Sequence, residues 1–250
     1  MQERRDQIIK LINDEGQITF GKLKQQFPEV SDMTLRTDLK CLDESGMIIR
    51  IHGGARSIDS IAGTDGLFNI RATRKPAQKE EIAKKAVSLI AANSSIFIDS
   101  GSTTTLFCHE LPDDVYEIYT SGLSCATELA ELKMPHVHVL GGKMNRFSLS
   151  TSGGEALVQM QHYHFNICVI GVTSFSPDFG FSCESEDDCL LKRVAISNSD
   201  HVMILMDSSK FGPTNTHQIC TLKEVDTIVT DSGMNQDQRS YFENKKIQVI

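Results

Sequence analysis

No apolar run in the 250 residues approaches the ~20 needed to cross a bilayer, and Met1-Gln2-Glu3-Arg4-Arg5 lacks the apolar core of a secretion signal. The expectation is a cytoplasmic protein. The seven cysteines are scattered without any C-x-x-C spacing, which argues against a zinc finger or a disulfide framework. Neither a Walker A ending nor G-x-G-x-x-G is present, so a nucleotide is not the natural ligand. Net positive charge is missing too: the chain carries −8. That deficit is uneven. Up to Arg56, nine basic residues balance nine acidic ones, so the negative charge lies beyond it, and only the N-terminal part can approach a polyanion without strong repulsion.

What is present begins with a capped amphipathic pattern. Ser31 can cap a helix in which Met33, Leu35, Leu39 and Leu42 give apolar spacing, and Gly46 suits its end. Upstream, Ile8, Ile9, Leu11 and Ile12 mark a first helix ending at Gly16, and Thr19 opens a second that runs to Phe27. Downstream, an apolar strand carries Arg50 and His52 into Gly53-Gly54. This is the order of a winged helix-turn-helix, whose recognition helix lies in the major groove. Thr34, Arg36, Thr37 and Lys40 are expected to face bases and phosphates, with Ser31 at the helix start and Arg50 and His52 reaching from the wing. A plain interaction module of three helices is the alternative.

Chain length leaves room for a second domain. Domain boundaries are expected at 1–56 for the DNA-binding part, 57–74 for a Ser-, Asp- and Gly-rich linker, and 75–250 for the rest. In that last part, nearly wholly apolar segments (SSIFI, EIYT, VHVL, NICVIG, HVMILM, TIVT, IQVI) alternate with amphipathic helices. Such alternation predicts a mostly parallel α/β sheet covered on both faces, with ligands beyond the strands' carboxyl ends. The residues there are small and polar. Asp99-Ser100-Gly101-Ser102-Thr103-Thr104 leads into a helix N-terminus, where free N–H groups favour an anion. Thr120-Ser121-Gly122, then Gly141, Gly142 and Lys143 with Arg146, and finally Asp207 and Lys210 follow later strands. Together these suit a polyhydroxylated molecule carrying a phosphate, with Lys210 as charged partner and Asp99 and Asp207 accepting from hydroxyls.

The run Ser31 to Leu39 followed by Arg50-Ile51-His52-Gly53-Gly54-Ala55 resembles the DNA-binding signature of the DeoR family of bacterial sugar-metabolism regulators. IFIDSGSTTT, VLGGKMN, Ser150 to Gly154, the Glu184 and Glu186 pair, LMDSSKFG and IVTD fall in that family's order. The resemblance implies a C-terminal effector domain with the fold of ribose-phosphate isomerases and coenzyme A transferases. It also implies a phosphorylated sugar as effector, with Glu184 among the contacts, double-stranded operator DNA as partner and no cofactor. Two departures stand out: Thr37 replaces a customary second arginine, and the second strand ends in Thr120-Ser121-Gly122 where Thr-Asn is usual, so that Ser121 is the departure. The expected function is a repressor of a sugar-utilisation operon acting as a dimer or tetramer, since one recognition helix reads few bases. A sugar-phosphate isomerase is the rival, with Asp99, Asp207, Glu184 and Lys210 as its candidate groups. His136 with His138 and His162 with His164 raise a metal site, but no acidic or cysteine ligand completes a set, and none is expected.

Overall fold

The computed structural model describes residues 2–44, 47–57 and 68–250. They form two compact units, Met1–Thr73 and Arg74–Ile250.

The first unit runs α1 (Gln2–Glu15), β1 (Gln17–Thr19), α2 (Phe20–Gln26), α3 (Asp32–Glu44), β2 (Ile49–Ile51), β3 (Gly54–Arg56) and α4 (Phe68–Thr73). Helix α2 starts where Thr19 accepts a hydrogen bond from the Lys22 amide at 3.3 Å, and α3 where Ser31 Oγ accepts from the Thr34 amide at 3.1 Å. Ile8, Ile12, Ile18, Leu23, Leu35, Leu39, Leu42, Ile48 and Ala55 make one core beneath the helices and the sheet β1-β3-β2. Strand β1 was not foreseen. It pairs antiparallel with β3 so closely that a Cβ on Gly54 would lie 2.1 Å from the Ile18 carbonyl oxygen, so only glycine fits there. Gly46 and residues 58–67 of the expected linker lie outside the described residues, while 68–73, also within it, form α4.

The second unit continues with α5 (Pro76–Val87), β4 (Ser95–Ile98), α6 (Ser102–Glu110), β5 (Glu117–Thr120), α7 (Leu123–Leu129), β6 (His136–Val139), β7 (Lys143–Asn145), β8 (Ser150–Ser152) and α8 (Gly154–Met160). It then runs through β9 (Phe165–Gly171), β10 (Ser174–Ser176), β11 (Gly180–Cys183), α9 (Glu186–Ser197), β12 (Ser199–Leu205), β13 (His217–Cys220), β14 (Thr227–Val229), α10 (Gln236–Glu243) and β15 (Gln248–Val249). Seven strands form one all-parallel sheet in the order β15-β14-β12-β9-β4-β5-β6. Each strand feeds both faces, as period-2 alternation requires. Ile96, Ile98, Val169, Met203 and Leu205 pack with α5, α6 and α7; Phe97, Cys168, Ile170, Val202 and Ile204 pack with α8, α9 and α10. The sequence pattern did not give two smaller pairings, the hairpin β7-β8 and the antiparallel sheet β10-β11-β13. In the latter, Phe175 packs against Phe181 and Phe242 with ring centroids 4.7 and 4.8 Å apart.

Candidate functional site

Two sites follow from this arrangement, one in each unit. In the first, α3 turns Leu35, Asp38, Leu39 and Leu42 inward and leaves Arg36, Thr37 and Lys40 exposed. Asp38 anchors it. Its carboxylate accepts from Arg4 Nε at 2.7 Å and Arg5 Nε at 2.9 Å, both on α1. Burial works against that charge, but the bonds from Arg4 and Arg5 hold the carboxyl below the usual carboxylate range. The Arg36 guanidinium lies 4.3 Å from the centroid of Phe20, a cation–π contact that rests the charged head on the ring while the residue as a whole stays exposed. Thr37 donates its hydroxyl to the Met33 carbonyl at 2.9 Å, and the Ser31 and Thr34 hydroxyls bond each other at 2.8 Å. Met33 corrects the sequence reading. It was expected in the buried stripe and is instead 80% exposed, because it falls on the same face as Arg36, Thr37 and Lys40. In the wing, Arg50 and His52 are exposed either side of Ile51, the Arg50 amide donates to Asp43 at 2.9 Å, and Gly53 takes φ +80° at the hairpin tip.

The second site is the carboxyl rim of the sheet. Strand order reverses between β9 and β4, the crevice where such sheets receive ligands. The loop after β4 is buried: Asp99, Ser100, Ser102, Thr103 and Thr104 are each at most 8% exposed. Helix α6 begins at Ser102, four residues earlier than the sequence pattern suggested, with Gly101 as an N-cap that offers no side chain. The Thr104 and Thr105 hydroxyls turn back to the Gly101 carbonyl at 2.9 and 2.7 Å. Beside this loop, Thr120 accepts from the Gly122 amide at 3.0 Å, and the Ser121 carbonyl accepts from the Thr151 amide at 2.8 Å, which ties β8 to the rim.

Asp99 departs from expectation. Its Oδ2 accepts from the Gly171 amide at 3.0 Å and from Lys192 Nζ, which also donates to the Gly171 carbonyl at 2.8 Å. The carboxylate that was expected to hold a ligand's hydroxyls is therefore the partner of a buried ammonium. Burial pushes the Asp99 carboxyl up; Lys192, itself penalised by burial, is held above its usual value by the charge of Asp99. Lys192 was missed because it lies 93 residues along the chain on α9, where its spacing reads only as one face of an amphipathic helix. Asp188, one turn earlier on α9, accepts from Ser150 at 3.3 Å.

At the end of β12, Asp207 accepts from the Ser209 amide at 3.2 Å, from the Ser209 hydroxyl, and from Lys75 at 3.2 Å. Burial opposes its ionisation, yet Ser209 and the ammonium groups of Lys210 and Lys75 keep the carboxyl below its ordinary value. Lys75 was not anticipated; it precedes α5 in left-handed conformation, φ 49°. Lys210 donates to the Val172 carbonyl, which carries it across to the loop after β9. Next to it, Asp231 accepts from the Ser208 amide at 2.6 Å. The remaining candidates sit farther out on this side of the fold. The Gly141 amide donates to Gln159 at 3.1 Å, Gly142 takes φ +131°, Lys143 is exposed and 3.6 Å from Asp187, and Arg146 lies 5.1 Å from the Phe147 ring. Glu184 is half-buried just before α9. His136 and His138 share the Glu117 carboxylate, one on each oxygen, and His164 pairs with Asp200; among the described residues no group of three or more such side chains is placed to hold a metal ion.

Comparison with known proteins gives one family model for each unit. Residues 4–61 match the DeoR-like helix-turn-helix domain and residues 74–232 the DeoR C terminal sensor domain. The chain is 30% identical over 250 residues to a putative aga operon transcriptional repressor of Escherichia coli O157:H7, covering 99% of this chain and 93% of that protein. It is 29% identical over 250 residues to the lactose phosphotransferase system repressor of Staphylococcus aureus, covering 99% and 95%. Among solved structures, ribose 5 phosphate isomerase A from Neisseria gonorrhoeae covers 53% of this chain and 52% of its own at 18% identity with a TM-score of 0.40. Chaetomium thermophilum eIF2B beta covers 69% and 54% at 12% identity with a TM-score of 0.46. No described helix is long and apolar enough to cross a membrane. With a winged helix-turn-helix at one end, a sensor-domain sheet at the other, and relatives that share both along nearly their whole length, the chain belongs to the DeoR family of DNA-binding transcriptional regulators.

Proposed function

We propose that this protein is a cytoplasmic repressor of a sugar-utilisation operon, releasing its operator when a phosphorylated sugar binds the carboxyl rim of the seven-stranded sheet. One observation supports the anion part of this reading above the others: the buried Ser100–Thr104 loop opens α6 at the crevice between β4 and β9, and Lys192 neutralises the one carboxylate in that loop. An unpaired Asp99 would repel a phosphate; a paired one leaves the α6 amide groups and Lys210 to attract it. Ser100, Gly101, Ser102, Thr103, Ser121 and Gly122 would line the phosphate end. Asp207, Glu184, Lys143 and Arg146 would meet the sugar, with Thr120 and Thr104 shaping the loops and Gly141 and Gly142 the turn. On the DNA side, Arg36, Thr37 and Thr34 face bases, and Lys40, Arg50 and His52 face phosphates, with Ser31 ordering the helix start. Residues 1–56 read the operator, 75–250 sense the sugar, and a dimer or tetramer presents repeated recognition helices.

Catalysis by this rim is not part of the reading. An isomerase base must face substrate carbon, whereas Asp99 is engaged by Lys192 and Gly171, and Asp207 by Ser209 and Lys75. Binding alone is sufficient for control: effector and operator each favour one state of the protein, and a coupling of ~1–3 kcal/mol shifts operator affinity about 5- to 150-fold.

The test is a thermal-shift screen of phosphorylated sugars against their unphosphorylated parents. A specific ligand at 100 times its dissociation constant stabilises by ~2.7 kcal/mol, about 5–10 °C for a domain of this size. The hit should also release the selected operator in a mobility-shift assay. Equal shifts from a sugar and its phosphate would refute the anion cradle, and turnover of the hit would refute the sensor assignment.

A further inference from the structure

On the outward face of α3, Met33 occupies the first turn, with Arg36, Thr37 and Lys40 following three, four and seven residues later. Helical geometry puts all four on one stripe. Two of the three polar members are partly committed by contacts of their own: Arg36 rests over Phe20, and the Thr37 hydroxyl bonds the Met33 carbonyl. Met33 is different. At 80% exposure it is, among the described residues of the first unit, the only large apolar side chain left in solvent. Nothing in the fold of that unit requires an apolar residue there, since the core of α3 is complete with Leu35, Leu39 and Leu42. The N-terminal turn of a recognition helix is the part that meets base edges in the major groove, and there thymine alone carries an exposed methyl group. Methionine is flexible and polarisable, able to settle against such a methyl without a fixed rotamer.

We infer that Met33 is a specificity-determining residue that reads the 5-methyl group of a thymine in the operator. This rests on the operator-binding reading above. It also accounts for Thr37: a short hydroxyl turned back onto the helix leaves the Met33 end of the stripe uncrowded by a second arginine. Contact with the methyl excludes water from both groups and distinguishes thymine from cytosine or uracil at that position without any hydrogen bond.

The experiment uses the full chain. A duplex is selected from a randomised library, and each thymine is replaced in turn by deoxyuridine, which removes the methyl and nothing else. Dissociation constants are measured at one fixed salt concentration for the wild type and for Met33→Ala, an exposed helical position where alanine is well tolerated. In the wild type, uracil at one or a few positions should weaken binding about fourfold, the equivalent of the ~0.8 kcal/mol of one buried methyl-sized group. Met33→Ala should bind the thymine and uracil duplexes equally, with the salt dependence of the wild type, because the phosphate contacts remain. Indifference of the wild type to every thymine-to-uracil change would overturn the assignment. So would a uracil penalty in Met33→Ala of the same size at the same positions, which would give the methyl to another side chain. Failure to enrich any duplex would refute the operator-binding reading, and this inference with it.

Discussion

Replacing Lys192 with methionine keeps the length and apolar stem of the side chain while removing the charge that faces Asp99. Both groups are almost wholly inside, at 7% and 3% side-chain exposure, so solvent screens their interaction little and none can enter to solvate what remains. Removing one member of such a pair costs about 3–5 kcal/mol, a large share of the ~5–15 kcal/mol that holds a domain folded. Lys192→Met also loses the bond to the Gly171 carbonyl, through which Lys192 ties the end of β9 to Asp99 in the loop after β4. The melting temperature of the sensor unit should fall by roughly 6–20 °C at pH 8. The loss should depend on pH. Without Lys192, the buried Asp99 carboxyl titrates above its unfolded value of about 3.9. A raised folded value gives stability that is present below the unfolded value and drains away as pH rises through the folded one, so the deficit shrinks towards pH 5. In Asp99→Asn the same Lys192→Met change should cost far less, since no carboxylate is stranded. Melting curves of the four proteins at pH 5 and pH 8 decide it. A Lys192→Met protein within 1 kcal/mol of wild type at pH 8, or one equally damaged in the Asp99→Asn background, would refute the pairing as a stabilising feature.

Three other outcomes are expected. Arg36→Ala should weaken operator binding by ~1–3 kcal/mol if its head makes a bidentate base contact, read by fluorescence anisotropy at fixed salt, with the thermal response to effector unchanged. Asp38→Ala should loosen α3 from α1 by about 2–3 kcal/mol, the partly exposed Arg4 and Arg5 being easier to resolvate than a buried lysine. Because the Asp38 carboxyl is depressed in the folded state, its contribution is present above about pH 4 and lost as pH falls through the folded value, so operator binding by the wild type should fail on acidification more steeply than that of Asp38→Ala. Gly54→Ala would drive a Cβ to 2.1 Å from the Ile18 carbonyl, so β3 must leave β1; operator binding should drop with the sensor unit's melting unaffected.

The pattern of residues was enough for the elements that repeat. Wholly apolar strands between amphipathic helices specified an α/β sheet because burial on both faces leaves no polar position, and Ser31, Thr19 and Gly16 marked helix ends through backbone groups that need local partners. Apolar runs could not reveal β7, β8, β10, β11 and β13, whose sequences KMN, STS, SFS, GFSC and HQIC are largely polar, nor could spacing place Met33, which falls on the other side of α3 from the buried stripe. The rim was legible in outline, since small polar residues after successive strands must gather at one end of a parallel sheet. Its charges were not. Which carboxylate meets which ammonium depends on the order of strands and on the side of the sheet a helix covers, and the sequence does not contain that order explicitly. Folding set β9 beside β4, packed α9 against one face of the sheet, and so brought Lys192 to Asp99 and Lys75 to Asp207, contacts between residues 93 and 132 positions apart. Local propensity is a property of neighbours along the chain; neutralising a buried charge is a property of neighbours in space, and only the tertiary structure supplies those.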